Sequence, residues 1–289
     1  MIQTDMGNGF LLDAGFAGNT GRQLPFSRSL NVALPGTGIA GLPFGSFNRT
    51  AQTEYRSTGL NSNYNSLQVN LTKRFAAGLA VAGAYTYGKA LDYGFNQVNP
   101  FDTRSNYGPA DWDRKHILAM SHMWRLPFGP GSSNFTSGPA AWLVGNWELN
   151  GLLHWATGNP FSVTADSLAC ACPGLGAQRA VFNGAGSIDG QANFDPSQFS
   201  LAAAGTVGSQ SRNGFRGPDL FSYDVSLFRN FAVKENLKLE LRGEAYNVTN
   251  TTNFVNPQST FGSPSFGRAN RTFNGVGGRQ FQVGARMLF

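Results

Sequence analysis

The strongest constraint on the fold is a period-two alternation of apolar and polar residues that recurs along the chain. Segment 237–245 shows it most clearly, because Leu, Gly or Ala occupies the odd positions and charged residues occupy the even positions. The charged residues are Lys238, Glu240, Arg242 and Glu244. Successive side chains of a strand point to opposite faces, whereas an amphipathic helix repeats every three to four residues. The pattern therefore predicts strands with one apolar face and one polar face.

The alternation recurs in about eight segments, and the connections between them differ in length. The predicted strands lie near residues 8–18, 64–75, 78–90, 115–126, 145–157, 219–231, 236–250 and 279–289. Each is close to the roughly 9–11 residues that cross a bilayer. Shorter and longer connections alternate, so the long loops rich in Asn, Ser, Thr, Gly and Pro all fall at one end. This arrangement is typical of outer-membrane barrels, which have short periplasmic turns and long extracellular loops.

Composition leaves two main classes open, a large soluble all-β domain and a transmembrane β-barrel. Charged residues make up 13% of the chain, about half of the ~25% found in soluble domains. The longest apolar stretches, 79–85 and 140–144, are far shorter than the roughly 20 residues of a membrane-spanning helix. The predicted fold class is all-β: an antiparallel transmembrane β-barrel of about eight strands, forming a single domain over residues 1–289. A soluble, half-buried antiparallel sheet alternates too, and the pattern alone leaves that alternative open.

The two faces of such a barrel have different expected environments. Lipid cannot satisfy exposed backbone groups, so a spanning sheet must close, and its outward side chains must be apolar. Aromatic residues near the strand ends suit the two membrane interfaces. The polar face is then expected to line a lumen, and the candidate lumen-facing residues are Asp224, Lys238, Glu240, Arg242, Glu244, Gln282 and Arg286.

Segments typical of one transporter family also occur here in the family's order. They are residues 62–75, 78–79, 85–89, 107–116, 124–129, 147–153, 158–161, 222–231, 241–250 and 253–254. On these segments the chain resembles the β-barrel domain of TonB-dependent outer-membrane transporters, in particular their Oar-like branch. The last strand resembles the C-terminal signal read by the barrel assembly machinery, carried by Phe281, Val283, Ala285, Met287 and Phe289. The family often has an aromatic residue where this chain has Met287.

The resemblance implies a C-terminal portion of such a transporter, located in the cell outer membrane. Family members are longer and carry a signal peptide, a TonB-contacting segment and a plug inside a roughly 22-stranded barrel. We recognise no signal peptide or plug in this sequence. The expected role is barrel wall and extracellular loops, and in isolation the strands would form a closed barrel or an open curved sheet. Expected partners are outer-membrane lipid, lipopolysaccharide, the barrel assembly machinery and the N-terminal barrel and plug portion. The sequence does not identify a transported ligand.

Two alternatives come from other classes. The first is a stand-alone eight-stranded outer-membrane barrel that displays surface loops for adhesion or structure, since eight strands enclose an interior just filled by side chains. The second is a soluble β-sandwich that binds carbohydrate, which the one-sided loops and the Phe-terminated final strand disfavour.

No catalytic, cofactor or metal motif is recognisable, so we expect no enzyme activity and no cofactor. His116, His122 and His154 lack metal-ligand spacing, and the acidic pairs Asp111/Asp113 and Glu240/Glu244 lie among basic residues. Cys170 and Cys172 are expected to be loop thiols or a local bridge. The Gly-rich segments 36–41 and 275–278 are expected to be loops, because they lack the strand-to-helix context of a phosphate cradle.

The formal net charge of +6 does not indicate nucleic-acid binding, because the basic residues form no cluster. The basic loop residues are instead candidates to contact lipopolysaccharide phosphates or anionic solutes. They are Arg22, Arg28, Arg104, Arg212, Arg216, Arg268 and Arg271.

Overall fold

A computed structural model describes residues 1–234, 237–273 and 278–289, and its main element is one antiparallel sheet. The nine long strands are β1 Ile2–Gly7, β2 Phe10–Ser29, β3 Glu54–Ala76, β4 Leu79–Asp92, β5 His116–Arg125, β6 Glu148–Ala156, β7 Leu220–Lys234, β8 Leu237–Tyr246 and β9 Gln280–Leu288. Each strand pairs with its neighbour in the chain, and the short strand Gly108–Pro109 adds to the end of β4. Among the described residues β1 and β9 do not pair with each other, so the sheet is open.

The remaining elements lie in the connections. In the part of the chain that the structure describes, one short helix, α1 Gly138–Val144, lies between β5 and β6. The 3-10 turns occur at Ile39–Gly41, Gly45–Phe47, Thr103–Asn106 and Pro196–Gln198. Three pairs of two-residue strands order the loops: Thr164–Ala165 with Gln178–Arg179, Val181–Phe182 with Phe199–Ser200, and Pro160–Phe161 with Phe215–Arg216. Among the described residues no helix is both long and apolar enough to cross a membrane.

The structure confirms the all-β class and the predicted strands, with differences at their ends. Strands β2 and β3 continue well beyond the predicted 8–18 and 64–75, because they pair as a long hairpin up to Ser29 and Glu54. Most residues of this extension are polar, and its register is shifted at Leu24, so period-two alternation gives little signal there. Strand β1 was not predicted either, since all its side chains are exposed. Strand β8 ends at Tyr246, before the predicted 250, because Asn247 adopts a positive φ of 51°.

Short and long connections alternate as the sequence predicts. The β3–β4 turn is two residues, Ala77 and Gly78, both with positive φ. A side chain at Gly78 would also come within 3.0 Å of the Arg125 carbonyl oxygen, so glycine suits this position. Residues 235–236 of the predicted short link 231–236, and residues 275–277 of the predicted Gly-rich loop 275–278, lie outside the described residues.

One face of the sheet is polar and concave. A concavity of about 460 Å³ is lined by small and polar residues from five neighbouring strands, including Asn70, Ala84, Ala119, His154 and Ser222. The register places each of these five residues directly opposite the next one on the neighbouring strand, so they share one face of the sheet. The polar side of the alternation is therefore the inner side of the curve.

The opposite face is mainly apolar, and His122 and Arg229, two of the polar residues on it, have partners. The His122 Nε2 lies 2.8 Å from the Tyr223 hydroxyl, across Gly151. Arg229 is 6% exposed, its Nη1 donates to the Leu143 carbonyl at 2.9 Å, and its guanidinium lies 4.1 Å from the centre of the Phe231 ring. Leu143 belongs to α1, which therefore covers the only arginine in this part of the described apolar face.

We expect Gly151→Val to destabilise the sheet while Gly243→Val does not. Both glycines lie on the apolar face, but a Cβ at Gly151 would come within 2.3 Å of the His122 Nε2, whereas nothing lies within 4 Å at Gly243. Overpacking of this kind costs roughly 1–3 kcal/mol. The measurement is the urea midpoint of the lipid-reconstituted chain, and equal midpoints for the two variants would contradict the register described here.

Candidate functional site

The seven candidate lumen residues lie on one face of β7, β8 and β9. Asp224 lines the concavity directly, and the register places Glu244 opposite Gln282 and Glu240 opposite Arg286. Ser226, two residues from Asp224 on β7, pairs with Glu244. By this register all seven residues share the concave face: Asp224, Lys238, Glu240, Arg242, Glu244, Gln282 and Arg286. That the concave face lines a lumen stays a prediction.

Charges on this face neutralise one another along β8. The Arg242 guanidinium lies 3.0 Å from the Glu240 carboxylate and 3.6 Å from that of Glu244, and the Arg242 side chain is 46% exposed. Exposed pairs of this kind contribute ~0–1 kcal/mol. The two glutamates therefore flank a shared cation and form a salt-bridged polar strip.

The alternating residues of the C-terminal strand β9 lie on the apolar face, at one edge of the sheet. All five residues predicted to carry the assembly signal are exposed: Phe281, Val283, Ala285, Met287 and Phe289. Their strand pairs only with β8 among the described residues, and its other edge is open. Their role as an assembly signal stays a prediction.

The long loops have a hydrophobic core of their own, which we call the loop core. It consists of Phe161, Val163, Ala165, Ala180, Ile188, Phe194, Phe199, Phe215 and Phe266, all buried. Several rings meet edge to face, with centroids 5.2 Å apart for Phe194 and Phe266, a favourable aromatic geometry. Sequence reasoning missed this core because its phenylalanines are scattered among Gly, Ser and Asn without a period. The only signal was the count of 24 Phe.

Ion pairs join the long loop between β6 and β7 to the end of β4 and to the connection that follows it. Arg212 lies 2.5 Å from the Asp92 carboxylate and 2.9 Å from that of Asp111. Arg216 pairs with Asp113, whose side chain is 2% exposed and also accepts from the Ala90 amide at 2.6 Å. Arg212 and Arg216 therefore bind carboxylates within the loops instead of presenting free guanidiniums to solvent. Of the other basic candidates, Arg28 is half-buried, and the rest are exposed: Arg22, Arg104, Arg268 and Arg271.

The remaining chemistry-bearing residues are structural in this arrangement. Cys170 and Cys172, left open as thiols or a bridge, form a disulfide buried beside Val32 and Leu175. The His116 Nδ1 lies 2.8 Å from the Tyr85 hydroxyl, and His154 lies in the concavity. No group of three His, Cys, Asp or Glu in the described part of the chain could hold a metal ion.

Comparison with known families defines the class of this open, two-faced sheet. The sequence profile of the outer membrane beta barrel domain matches residues 1–282. The chain belongs to this family. Membership confirms the β-barrel class and the outer-membrane localisation expected from the sequence. A comparison with curated protein sequences finds no match.

Three solved structures illustrate the similarity in fold. The outer membrane transporter YddB from Escherichia coli has a TM-score of 0.49 and 9% identity over 99% of this chain and 31% of its own. BauA, the ferric preacinetobactin receptor of Acinetobacter baumannii, has a TM-score of 0.47 and 12% identity over 99% of this chain and 28% of its own. The ferric-catecholate import receptor Fiu of E. coli K12 has a TM-score of 0.44 and 11% identity over 98% of this chain and 26% of its own. The chain thus spans between a quarter and a third of the length of these structures.

We expect Arg216→Met to loosen the loops, whereas Arg56→Met leaves them intact. Removing Arg216 leaves the buried Asp113 carboxylate without its cationic partner. Breaking a buried ion pair in this way costs roughly 3–5 kcal/mol of stability. Arg56 forms an exposed pair with Glu54, with side chains 71% and 46% exposed, worth ~0–1 kcal/mol. Limited proteolysis of residues 157–219 measures the effect. Identical cleavage rates in the two variants would show that the Arg216–Asp113 pair does not hold the loops.

Proposed function

We propose that this chain forms part of the wall and the extracellular loops of a TonB-dependent outer-membrane transporter. The observation that carries the proposal is the open sheet, in which β1 pairs only with β2 and β9 only with β8 among the described residues. In lipid every backbone donor and acceptor must be satisfied by a neighbouring strand. Further strands of a larger barrel would supply those partners.

Within this proposal the chain's role is passive, and it carries out no catalysis. The concave face would line the lumen or meet a plug, with the Glu240–Arg242–Glu244 strip as its charged part. The long loops, which the loop core holds together, would present the recognition surface outside the cell. Energy coupling would lie in the plug and TonB-contacting parts of the complete transporter. Lipopolysaccharide would surround the exposed loop arginines, and the barrel assembly machinery would read β9.

A stand-alone small barrel is the second candidate function, because the number of strands is close to that of the smallest barrels. It requires β1 and β9 to pair and close the sheet. The nine long strands described here are an odd number, whereas single-chain bacterial barrels have an even number. This count favours the larger barrel.

Crosslinking of the two edges distinguishes the candidates. With Cys170 and Cys172 replaced by Ser, Thr4→Cys on β1 and Val283→Cys on β9 are treated with a short bismaleimide in lipid vesicles. We expect no crosslink within one chain, because the edges are far apart in an open sheet. Gly243→Cys with Val283→Cys, which are register partners, is the matched positive control. An intramolecular Thr4–Val283 crosslink would support the stand-alone barrel.

Cysteine accessibility tests the two faces independently of closure. In the same Cys-free background, Ser226→Cys lies on the concave face, and its neighbour Val225→Cys lies on the apolar face. We expect a membrane-impermeant maleimide to label position 226 rapidly and position 225 at least tenfold more slowly, because lipid shields the apolar face. Equal labelling would contradict the lumen assignment.

A further inference from the structure

A small cavity lies where the β4–β5 connection meets the long loop between β6 and β7. Its volume is about 290 Å³, and its lining includes Phe95, Ser162, Thr164, Arg179, Arg212 and Asn213. Two guanidinium groups therefore border one cavity. The volume lies at the small end of the range for ligand sites, which suits a single functional group or a small solute.

Arg179 is a buried cation that lacks an ion-pair partner. It is 3% exposed, its Nη2 donates to the Ser105 carbonyl at 2.9 Å, and its Nη1 contacts the Asn106 side chain at 3.4 Å. In the described part of the chain its Nε has no hydrogen-bond partner, and no carboxylate lies within 4.0 Å of the guanidinium. Burial, and then the charge of Arg212, lower the pKa of Arg179, while Asp102 acts in the opposite direction.

The neighbouring loop arginines show that this situation is specific to Arg179. Arg212 and Arg216 belong to the same loop, and each has a carboxylate partner. Asp111 also lines the cavity, but its carboxylate already accepts from Arg212 and Asn213, and its side chain is 80% exposed. A buried charge without a counter-charge is costly, so a counter-ion would be strongly favoured at this position.

We propose that this cavity binds a small anion through a carboxylate or phosphate group held by Arg179. Thr164 is the second contributor, because it is the register partner of Arg179 across the small hairpin. Its hydroxyl forms no hydrogen bond with another described residue, so it is available to donate to the anion. A guanidinium matches the planar or tetrahedral oxygens of these groups by charge-assisted hydrogen bonds. This site depends on the loops alone and does not require the proposed transport role.

The test measures binding of inorganic phosphate and of acetate to the full chain in detergent micelles by titration calorimetry. We expect Arg179→Gln to weaken binding at least tenfold, Arg179→Lys to retain part of it, and Thr164→Val to weaken it less than Arg179→Gln does. Arg56→Gln removes the same charge from a position whose side chain is 71% exposed and is expected to change affinity less than twofold. Matching protease fragments from residues 157–219 verify that each variant keeps folded loops.

Two outcomes would overturn the site. One is a folded wild-type chain that binds neither phosphate nor acetate, and the other is an Arg56→Gln variant that loses as much affinity as Arg179→Gln. To identify the source of the anion, binding of lipopolysaccharide to the wild-type chain and to Arg179→Gln is measured before and after the lipopolysaccharide is enzymatically dephosphorylated. A loss of binding in Arg179→Gln that is confined to the phosphorylated form assigns the site to a lipopolysaccharide phosphate. An effect seen only with the small anions assigns it to a free solute.

Discussion

The backbone hydrogen-bond ladder is the interaction on which the rest of this structure depends. In hydrocarbon a strand must satisfy every backbone group through its neighbours, and here each of the nine long strands pairs with the one next to it in sequence. Sequential pairing places alternate connections at opposite ends of the sheet. It also fixes the register, and through the register it decides which side chains meet lipid and which meet water. The two edges are the places where this requirement is not met within the described residues.

Polar side chains on the apolar face are consistent with the same constraint, because His122 and Arg229 both have partners there. His122 and Tyr223 bond to each other over Gly151. Arg229 has a helix carbonyl and an aromatic ring as partners, and both lie near the end of the sheet that carries the short turns. Trp142 of α1 lies against Phe231 with ring centroids 5.9 Å apart, where an aromatic residue suits a membrane interface. The connection between β5 and β6 therefore covers part of the apolar face of the sheet, in addition to linking two strands.

The sequence predicts the membrane-spanning part well and the loops poorly, for one physical reason. Between lipid and lumen the two faces of a strand have opposite requirements, so Leu237–Ala245 can be read as a strand from its pattern alone. Beyond the membrane both faces meet water, and the continuation of β2 to Ser29 leaves no alternation to detect. The loop core joins residues as far apart as Phe161 and Phe266, so no local window contains it. Nothing local distinguishes the buried Arg179 from an exposed loop arginine such as Arg104.

The loops and the sheet therefore have separate sources of stability. The sheet depends on strand pairing that its own edges leave incomplete, while the loops are held by the loop core and by the pairs of Arg212 and Arg216 with three aspartates. These ion pairs join the loop between β6 and β7 to the connection after β4, across strands that are already neighbours through β5. Completing the barrel would add strands beside β1 and β9, and neither of these edge strands is a neighbour of β4, β5 or β6 in the sheet. The cavity beside Arg179 is lined by residues of the two connections that follow β4 and β6, and neither connection adjoins an edge strand, so its ligand preference can be determined separately from barrel closure.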